Sequence, residues 1–127
     1  MEDPNKPARP ETDDLESDYA NNVFFNGNVW DLKMIFGELS GVRLGVDWHT
    51  SITLPWAQAK LMAYYLAINI ASYELQHGSI RIPASMIPVD PQTLPDPGGP
   101  ALVEFVKKLR QKFLEDLDRP PSPPNGA

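Results

Sequence analysis

One pair of residues, Glu74 and His77, has the types and the spacing of half a metal site. Glu-x-x-His places a carboxylate and an imidazole on one helix face, as in carboxylate-bridged di-iron bundles. Such a site needs a second Glu-x-x-His helix and further inward carboxylates, whereas this chain has 2 histidines and no second motif. A histidine before Gly78 also fits a helix end, where a partly cationic ring meets the negative end of the helix dipole. We favour the helix-end interpretation and expect no metal and no other cofactor.

A second set of residues, Asp47, His49 and Ser51, resembles an acid, a base and a nucleophile on alternate positions of one strand. Neighbours two apart on a strand lie about 6.6 Å apart, which is too far for the direct hydrogen bonds of a catalytic triad. We therefore interpret the set as a polar outer face and expect no catalytic residues. If subunits share a pocket, its polar candidates are Asp47, His49, Glu74 and His77.

Composition and charge limit the possible functions. The 127 residues have a net charge of −6 and no cysteine, which removes disulfides and thiolate metal sites and fits a reducing compartment. An acidic chain is poorly suited to neutralise phosphates, so we expect no nucleic-acid binding. The chain opens with neither a basic nor an apolar leader region, which predicts a cytoplasmic protein.

Three segments have the patterns of antiparallel strands. Asn26-Gly27 is a two-residue hairpin signal and predicts strands over residues 20–25 and 28–36. The third segment, 42–54, alternates apolar and polar residues, which predicts one strand with every apolar residue on the same face. The run SIRIP, 79–83, could add a short fourth strand. The pattern therefore predicts a three- or four-stranded meander.

Residues 55–77 predict one long helix, because Pro55 suits the first helical position and Gly78 a helix stop. The helix is apolar nearly all round, which is typical of a helix buried on more than one side. A three-stranded sheet covers only one side, so we expect the other side to meet a second subunit. Four polar residues interrupt the apolar run and argue against a membrane span: Gln58, Lys60, Asn69 and Ser72.

The C-terminal part of the chain contains a Pro-rich segment followed by amphipathic spacing. The 6 prolines between positions 83 and 100 predict an extended linker. Residues 101–118 then predict a helix with Phe105, Leu109 and Phe113 on one stripe. Either this helix packs on its own core or it inserts in the groove of a partner protein, and both alternatives stay open.

These patterns predict an α+β protein: an antiparallel meander, one long helix, and a C-terminal amphipathic helix on a Pro-rich linker. The expected segments are a disordered acidic arm (1–18), a β-β-β-α core domain (19–83), the linker (84–100), the amphipathic helix (101–118) and a disordered tail (119–127). The arm holds 7 acidic and 2 basic residues, and one large aliphatic residue besides the initiator methionine, so it buries too little surface to offset the entropy of ordering.

Several short stretches also resemble a known family. They are Tyr19-Ala20-Asn21, Phe36-Gly37, Pro55 followed by Ala59-Lys60, Tyr73-Glu74, and Gly78-x-Ile80. In order and spacing, residues 19–82 resemble DUF3467, a small prokaryotic family of unknown function. The resemblance implies a bacterial protein and the same order of elements, and it implies no activity. Leu54 departs from the pattern, because a small capping residue usually precedes the helix proline in this family.

We expect a non-enzymatic protein-protein interaction or oligomerisation module, with a homodimer favoured and with a further protein partner possible through the C-terminal helix. The expected contact surfaces comprise Met62, Leu66, Ile70, Tyr73, Phe105, Leu109 and Phe113. One alternative is a chaperone-like holdase with an apolar groove. The other is an enzyme or a metal- or ligand-binding protein whose site is shared between subunits.

Overall fold

A computed structural model describes residues 15–41 and 45–117 of the chain. The described elements are three strands, a long helix and a C-terminal helix that follows a Pro-containing segment, so the predicted α+β class is confirmed. The chain divides into two compact units, Met1–Leu61 and Met62–Ala127. The predicted disordered tail lies outside the described residues, as does the predicted disordered arm up to residue 14.

The first unit contains an antiparallel sheet in the order β1-β2-β3, formed by β1 (Asn22–Gly27), β2 (Asp31–Leu39) and β3 (Val46–Pro55). The meander is confirmed, although the predicted start of the third strand, 42–44, lies outside the described residues. Directly paired residues share a sheet face. One face, the Met34 face, carries Leu32, Met34 and Phe36 of β2, and the opposite one, the Ile35 face, carries Lys33, Ile35 and Gly37.

The hairpin turn lies three residues beyond its predicted position. Asn26 and Gly27 belong to the β1–β2 ladder, and the chain reverses at Val29 and Trp30, between Asn28 and Asp31. The Asn28 side-chain carbonyl accepts hydrogen bonds from the backbone amides of Trp30 at 2.7 Å and Asp31 at 2.9 Å. An asparagine side chain that bonds backbone amides two and three residues on stabilises this reversal, so an Asn-Gly turn is not needed.

Gly27 is required by the close approach of a tryptophan. A β-carbon at position 27 would lie 2.8 Å from Cζ2 of Trp56, well inside normal contact distance. The Trp56 indole Nε1–H also donates a 2.7 Å hydrogen bond to the backbone carbonyl of Asn28. Within the first unit, this tryptophan therefore joins the end of the sheet to the hairpin turn.

A β-bulge divides the apolar face predicted for the third strand. Phe36 pairs with Thr50 and Gly37 pairs with Trp48, so His49 has no partner on β2. One extra residue reverses the faces of every residue that precedes it. Trp48 consequently lies on the Ile35 face, where its ring contacts that of Phe24 at a centroid distance of 6.4 Å. The prediction that all apolar residues of this strand share one face was wrong.

Asn21 continues the β1–β2 pairing with its side chain. Its Nδ2 donates to the carbonyl of Leu39 at 3.1 Å, and its Oδ1 accepts from the Leu39 amide at 2.8 Å. The Asn21 amide also donates to the carbonyl of Gly37 at 3.0 Å. The side chain therefore satisfies both polar backbone groups of a residue at the end of β2.

Helix α1 spans Trp56–His77 and follows β3 without a loop. Pro55 is the last residue of β3, so the helix begins one residue later than predicted. No residue of α1 is buried. None of the helices in the described part of the chain combines the length and the hydropathy that crossing a bilayer requires.

The possible fourth strand is absent from the described residues, because 79–83 has no strand structure. The backbone amide of Ile80 donates instead to Oε2 of Glu74 at 2.8 Å, so it is not available to a ladder. Pro83 follows and has no amide proton to donate.

The Pro-rich segment is not uniformly extended as predicted. It contains two short 3₁₀ helices, Ala84–Met86 and Pro91–Thr93. The Asp90 side chain caps the second one by accepting the amide of Gln92 at 3.0 Å. Helix α2 (Pro100–Leu117) contacts this segment: Arg110 Nε–H donates to the carbonyl of Pro88 at 2.8 Å. In the second unit, the segment therefore packs against one side of α2.

Candidate functional site

Glu74 acts as a cap for the end of α1. Its carboxylate accepts the amide of Ile80, and its backbone carbonyl accepts the amide of Gly78 at 2.9 Å. Gly78 has a φ of +90°, a conformation that favours glycine, and so closes the helix as predicted. The His77 ring lies against the Tyr73 ring at a centroid distance of 4.7 Å. The carboxylate and the imidazole thus have separate local partners.

A metal site would need more ligands than this helix end supplies. Over residues 15–41 and 45–117, no three histidine, aspartate or glutamate side chains lie close enough together to hold a metal ion. A shallow depression of about 380 Å³ does lie beside the helix end. Its lining comprises Tyr73, His77, Gly78, Ser79, Ile80 and Arg81. This lining offers one imidazole and one guanidinium, and no carboxylate.

His49 is engaged in a different network from the predicted one. Its Nε2 lies 2.9 Å from the backbone carbonyl of Tyr19, and its Nδ1 lies 2.7 Å from Oγ1 of Thr50. The Thr50 hydroxyl donates to Oδ2 of Asp18 at 3.1 Å. A carbonyl oxygen can only accept, so the His49 ring donates from Nε2 to Tyr19. His49 and Thr50 thus hold residues 18 and 19 against β3.

The β-bulge also separates the other two members of the predicted polar face. Asp47 pairs with Glu38, whereas Ser51 pairs with Ile35. Glu38 and Ile35 lie on opposite faces of β2, because they are an odd number of residues apart. Asp47 and Ser51 therefore lie on opposite faces of the sheet, and the prediction that Asp47, His49 and Ser51 form one polar face was wrong. The structure does not bring these three side chains together.

The described surface instead contains many exposed apolar side chains. On α1, Leu66 is 53%, Ile70 47% and Tyr73 54% exposed, while Met62 is half-buried. Their spacing of three or four residues places all four on one side of the helix. Monomeric proteins rarely expose large contiguous apolar patches, so this side of α1 is a candidate contact surface.

Helix α2 has two different sides. Val103 is buried, Arg110 and Leu114 are half-buried, and these residues lie on the side that the Pro-rich segment packs against. The predicted stripe lies elsewhere on the helix: Phe105 and Leu109 are more than half exposed, and Phe113 is 38% exposed. Within the second unit, α2 thus packs on its own chain along one side and exposes a second apolar stripe.

Sequence reasoning missed the residues that organise the sheet unit, among them Asp18, Asn21, Asn28, Thr50 and Trp56. A signal existed for Asn28, since asparagine before a turn often bonds the following amides with its side chain. No local signal exists for the others, because each bonds a residue at least 18 positions away along the chain.

The fold and the site together define a small α+β protein with a three-stranded antiparallel meander and an exposed long helix. The sequence profile of a family described as "Protein of unknown function (DUF3467)" matches residues 1–82. The chain belongs to this family, and the matched part includes the residues that precede β1. No curated protein and no solved structure matches the chain.

Proposed function

We propose that this protein is a small, non-enzymatic, cytoplasmic oligomerisation module, and that α1 pairs with α1 of a second copy. One observation carries the proposal: a helix of 22 residues, most of them apolar, has no buried residue. Burial of apolar side chains stabilises association by about 25 cal/mol per Å² removed from water. A second chain is the partner that every copy of this protein has available.

The charges on α1 favour a copy of the same helix in the antiparallel direction. Lys60 and Glu74 are its only lysine, arginine, aspartate or glutamate residues. They are 14 positions apart and lie within about 40° of each other around the helix axis, at 100° per residue. Two antiparallel helices that cross near Ala67 place Lys60 of each copy level with Glu74 of the other. The helix is therefore complementary in charge to itself.

The apolar stripe has the same centre as the charged pair. Met62, Leu66, Ile70 and Tyr73 extend symmetrically about a point between residues 67 and 68. In an antiparallel pair about this point, the stripe of one helix faces the stripe of the other, and both ion pairs lie on one flank. A homodimer with this geometry covers apolar surface and pairs both charges at once.

The experiment compares association of the full-length protein with that of two aspartate variants, using light scattering over a dilution series. Leu66→Asp places a charge in the stripe and is expected to dissociate the α1 pair. Ile68→Asp is the matched control, because Ile68 is 47% exposed but lies on the opposite side of the helix. A wild-type chain that stays monomeric at every concentration, or equal effects of the two variants, would contradict the proposal.

A charge exchange tests the antiparallel direction. Lys60→Glu and Glu74→Lys each convert two attractive contacts into two repulsive ones, so each variant alone is expected to dimerise roughly tenfold more weakly. An equimolar mixture of the two variants restores both attractive contacts and is expected to form heterodimers. The Glu74→Lys variant lacks the Glu74 cap both before and after mixing. A recovery of association on mixing therefore reports only the charge contacts between the two helices. No recovery would refute the antiparallel arrangement.

A second candidate function, binding of another protein through α2, rests on the exposed stripe of that helix. Lys108 and Lys112 flank one side of Phe105 and Leu109, and like charges would face each other if two copies of α2 paired antiparallel. This stripe therefore suits an amphipathic helix with acidic residues on its flank. A Phe105→Asp, Leu109→Asp variant should lose such a partner and keep the oligomeric state of the wild type.

A further inference from the structure

Strand β1 has an outer edge that pairs with no other strand in the described part of the chain. It is a terminal strand of the sheet. Its sequence, NVFFNG, contains no charged residue and no proline. Edge strands of soluble proteins are usually protected by charges, prolines, bulges or a covering segment. β1 contains no charged residue, no proline and no bulge.

The other terminal strand, β3, is protected in two of these ways. It contains the bulge at His49 and ends at Pro55, which has no amide proton. The difference between the two edges makes β1 the edge that is suited to accept another strand.

The register of the sheet shows which backbone groups of β1 point outward. The Asn28 amide donates to the carbonyl of Asp31 opposite it, so even-numbered residues of this strand direct their backbone groups toward β2. The N–H and C=O groups of Val23, Phe25 and Gly27 therefore point to the free edge. A second strand could bond all three residues.

The side chains of this edge are apolar and accessible. Val23 is 44% and Phe25 is 57% exposed, and both lie on the Met34 face. On the opposite face, Phe24 is 55% exposed. A strand added at the edge would cover part of these side chains as well as bond the backbone.

We propose that β1 pairs antiparallel with β1 of a second copy, with Phe25 opposite Phe25 across a two-fold axis. In this register Val23 of each copy lies opposite Gly27 of the other, so all three outward residues are bonded. Three pairs that exchange two hydrogen bonds each make six backbone bonds. If the two-fold axis passed through Phe24 instead, the outward backbone groups of Gly27 would have no partner. The register with the axis at Phe25 is therefore favoured.

The result is a continuous six-stranded sheet built from two three-stranded ones. The two Phe25 rings meet directly across the junction, and aromatic pairs of this kind stabilise sheets. This contact is separate from the α1 pair and does not depend on it. A chain that has two different two-fold contacts assembles into a closed tetramer or into a longer open array.

The test places opposite charges at position 25, which pairs with itself across the two-fold axis. The variants are made in the full-length protein and also in the Leu66→Asp background, in which the α1 contact is removed. Phe25→Lys and Phe25→Glu each place like charges directly opposite each other, so each variant alone is expected to associate at least about tenfold more weakly through β1. Their equimolar mixture places lysine opposite glutamate and is expected to associate again. Light scattering measures the mass, and circular dichroism verifies that each variant is folded.

A backbone-specific pair of variants supplies the second readout. Phe25→Pro removes the outward amide and leaves the bonds to β2 intact, whereas the control Phe25→Thr keeps the amide and loses the same aromatic ring. Phe25→Pro is expected to abolish the contact, and Phe25→Thr to weaken it by less. Equal association of both variants would overturn the proposal, and so would a lysine–glutamate mixture that stays dissociated.

The two proposals fail in different ways. A wild-type protein that is monomeric at all concentrations contradicts both. If Leu66→Asp dissociates the protein fully to monomers, the β1 contact is refuted and the α1 pair stands. If Leu66→Asp has no effect and the Phe25 variants dissociate the protein, the β1 contact stands and the α1 pair is refuted.

Discussion

Gly37→Ala is expected to destabilise the sheet unit strongly, because the bulge leaves no space for a methyl group at this position. An ideal β-carbon there would lie 2.6 Å from Cγ1 of Val46, 2.7 Å from Cε3 of Trp48 and 2.8 Å from the carbonyl oxygen of Asp47. Two of these atoms belong to side chains that can move. The third belongs to the backbone of the bulge, so relief requires a shift of β3.

The expected loss in the free energy of unfolding is about 2 kcal/mol. Overpacking of this kind typically costs about 1–3 kcal/mol. Gly→Ala also reduces the conformational entropy of the unfolded chain, which stabilises the folded state by roughly 0.4–1 kcal/mol. The clash with backbone keeps the cost of overpacking near the upper end of its range. For a small domain, this loss corresponds to a fall in the melting temperature of roughly 10 °C.

Urea unfolding followed by tryptophan fluorescence measures this loss, with all variants at one protein concentration because association would shift the midpoint. Gly41→Ala is the matched control, since no atom of a described, non-neighbouring residue lies within 4 Å of a β-carbon at that position. Its midpoint should equal or slightly exceed that of the wild type. Adding Val46→Ala should not rescue Gly37→Ala, because the carbonyl of Asp47 remains in place. Equal midpoints for the two alanine variants would refute the close approach at the bulge.

Three further predictions concern individual contacts. Gly27→Ala should lower the free energy of unfolding by about 1–2 kcal/mol and should cost less when Trp56→Ala is also present, as a double-mutant cycle in urea measures. Asn21→Ala should cost about 1 kcal/mol because it removes both side-chain hydrogen bonds to Leu39, whereas Asn26→Ala serves as a control with a smaller effect in the same titration. Glu74→Ala should cost about 0.5–1 kcal/mol and Glu74→Gln less, and added zinc or iron should leave the thermal midpoint of the wild type unchanged if the residue is only a cap.

Much of the element order follows from local patterns. Period-two alternation located most of β2 and β3, and the Pro55 and Gly78 signals located the ends of α1 to within one residue. These signals are local, because side-chain direction and helix stops depend on backbone conformation at neighbouring positions. Local patterns do not determine the chemistry of the polar candidates at Glu74 and His77 or along β3. That chemistry depends on which strand or segment lies beside each side chain.

The clearest difference between pattern and structure lies at His49. The alternation through Trp48, Thr50 and Ile52 predicted one continuous face, yet the extra residue in β3 turns Trp48 to the opposite side. A bulge is defined by two residues opposing one on the neighbouring strand, so the sequence of one strand alone does not reveal it. The same holds for Gly37, whose need to be glycine arises from atoms of β3.

The sequence by itself determined the kinds of elements and their order, the helix stop at Gly78, and the apolar character of both helices. These properties depend on residue type and short-range spacing. Only the tertiary structure decided that the Glu74 carboxylate accepts the amide of Ile80, that His49 holds residues 18 and 19, and that β1 has an open edge among the described residues. The first depends on the path of the chain after the helix, the second on a contact between residues 30 positions apart, and the third on strand order, and local periodicity contains none of these.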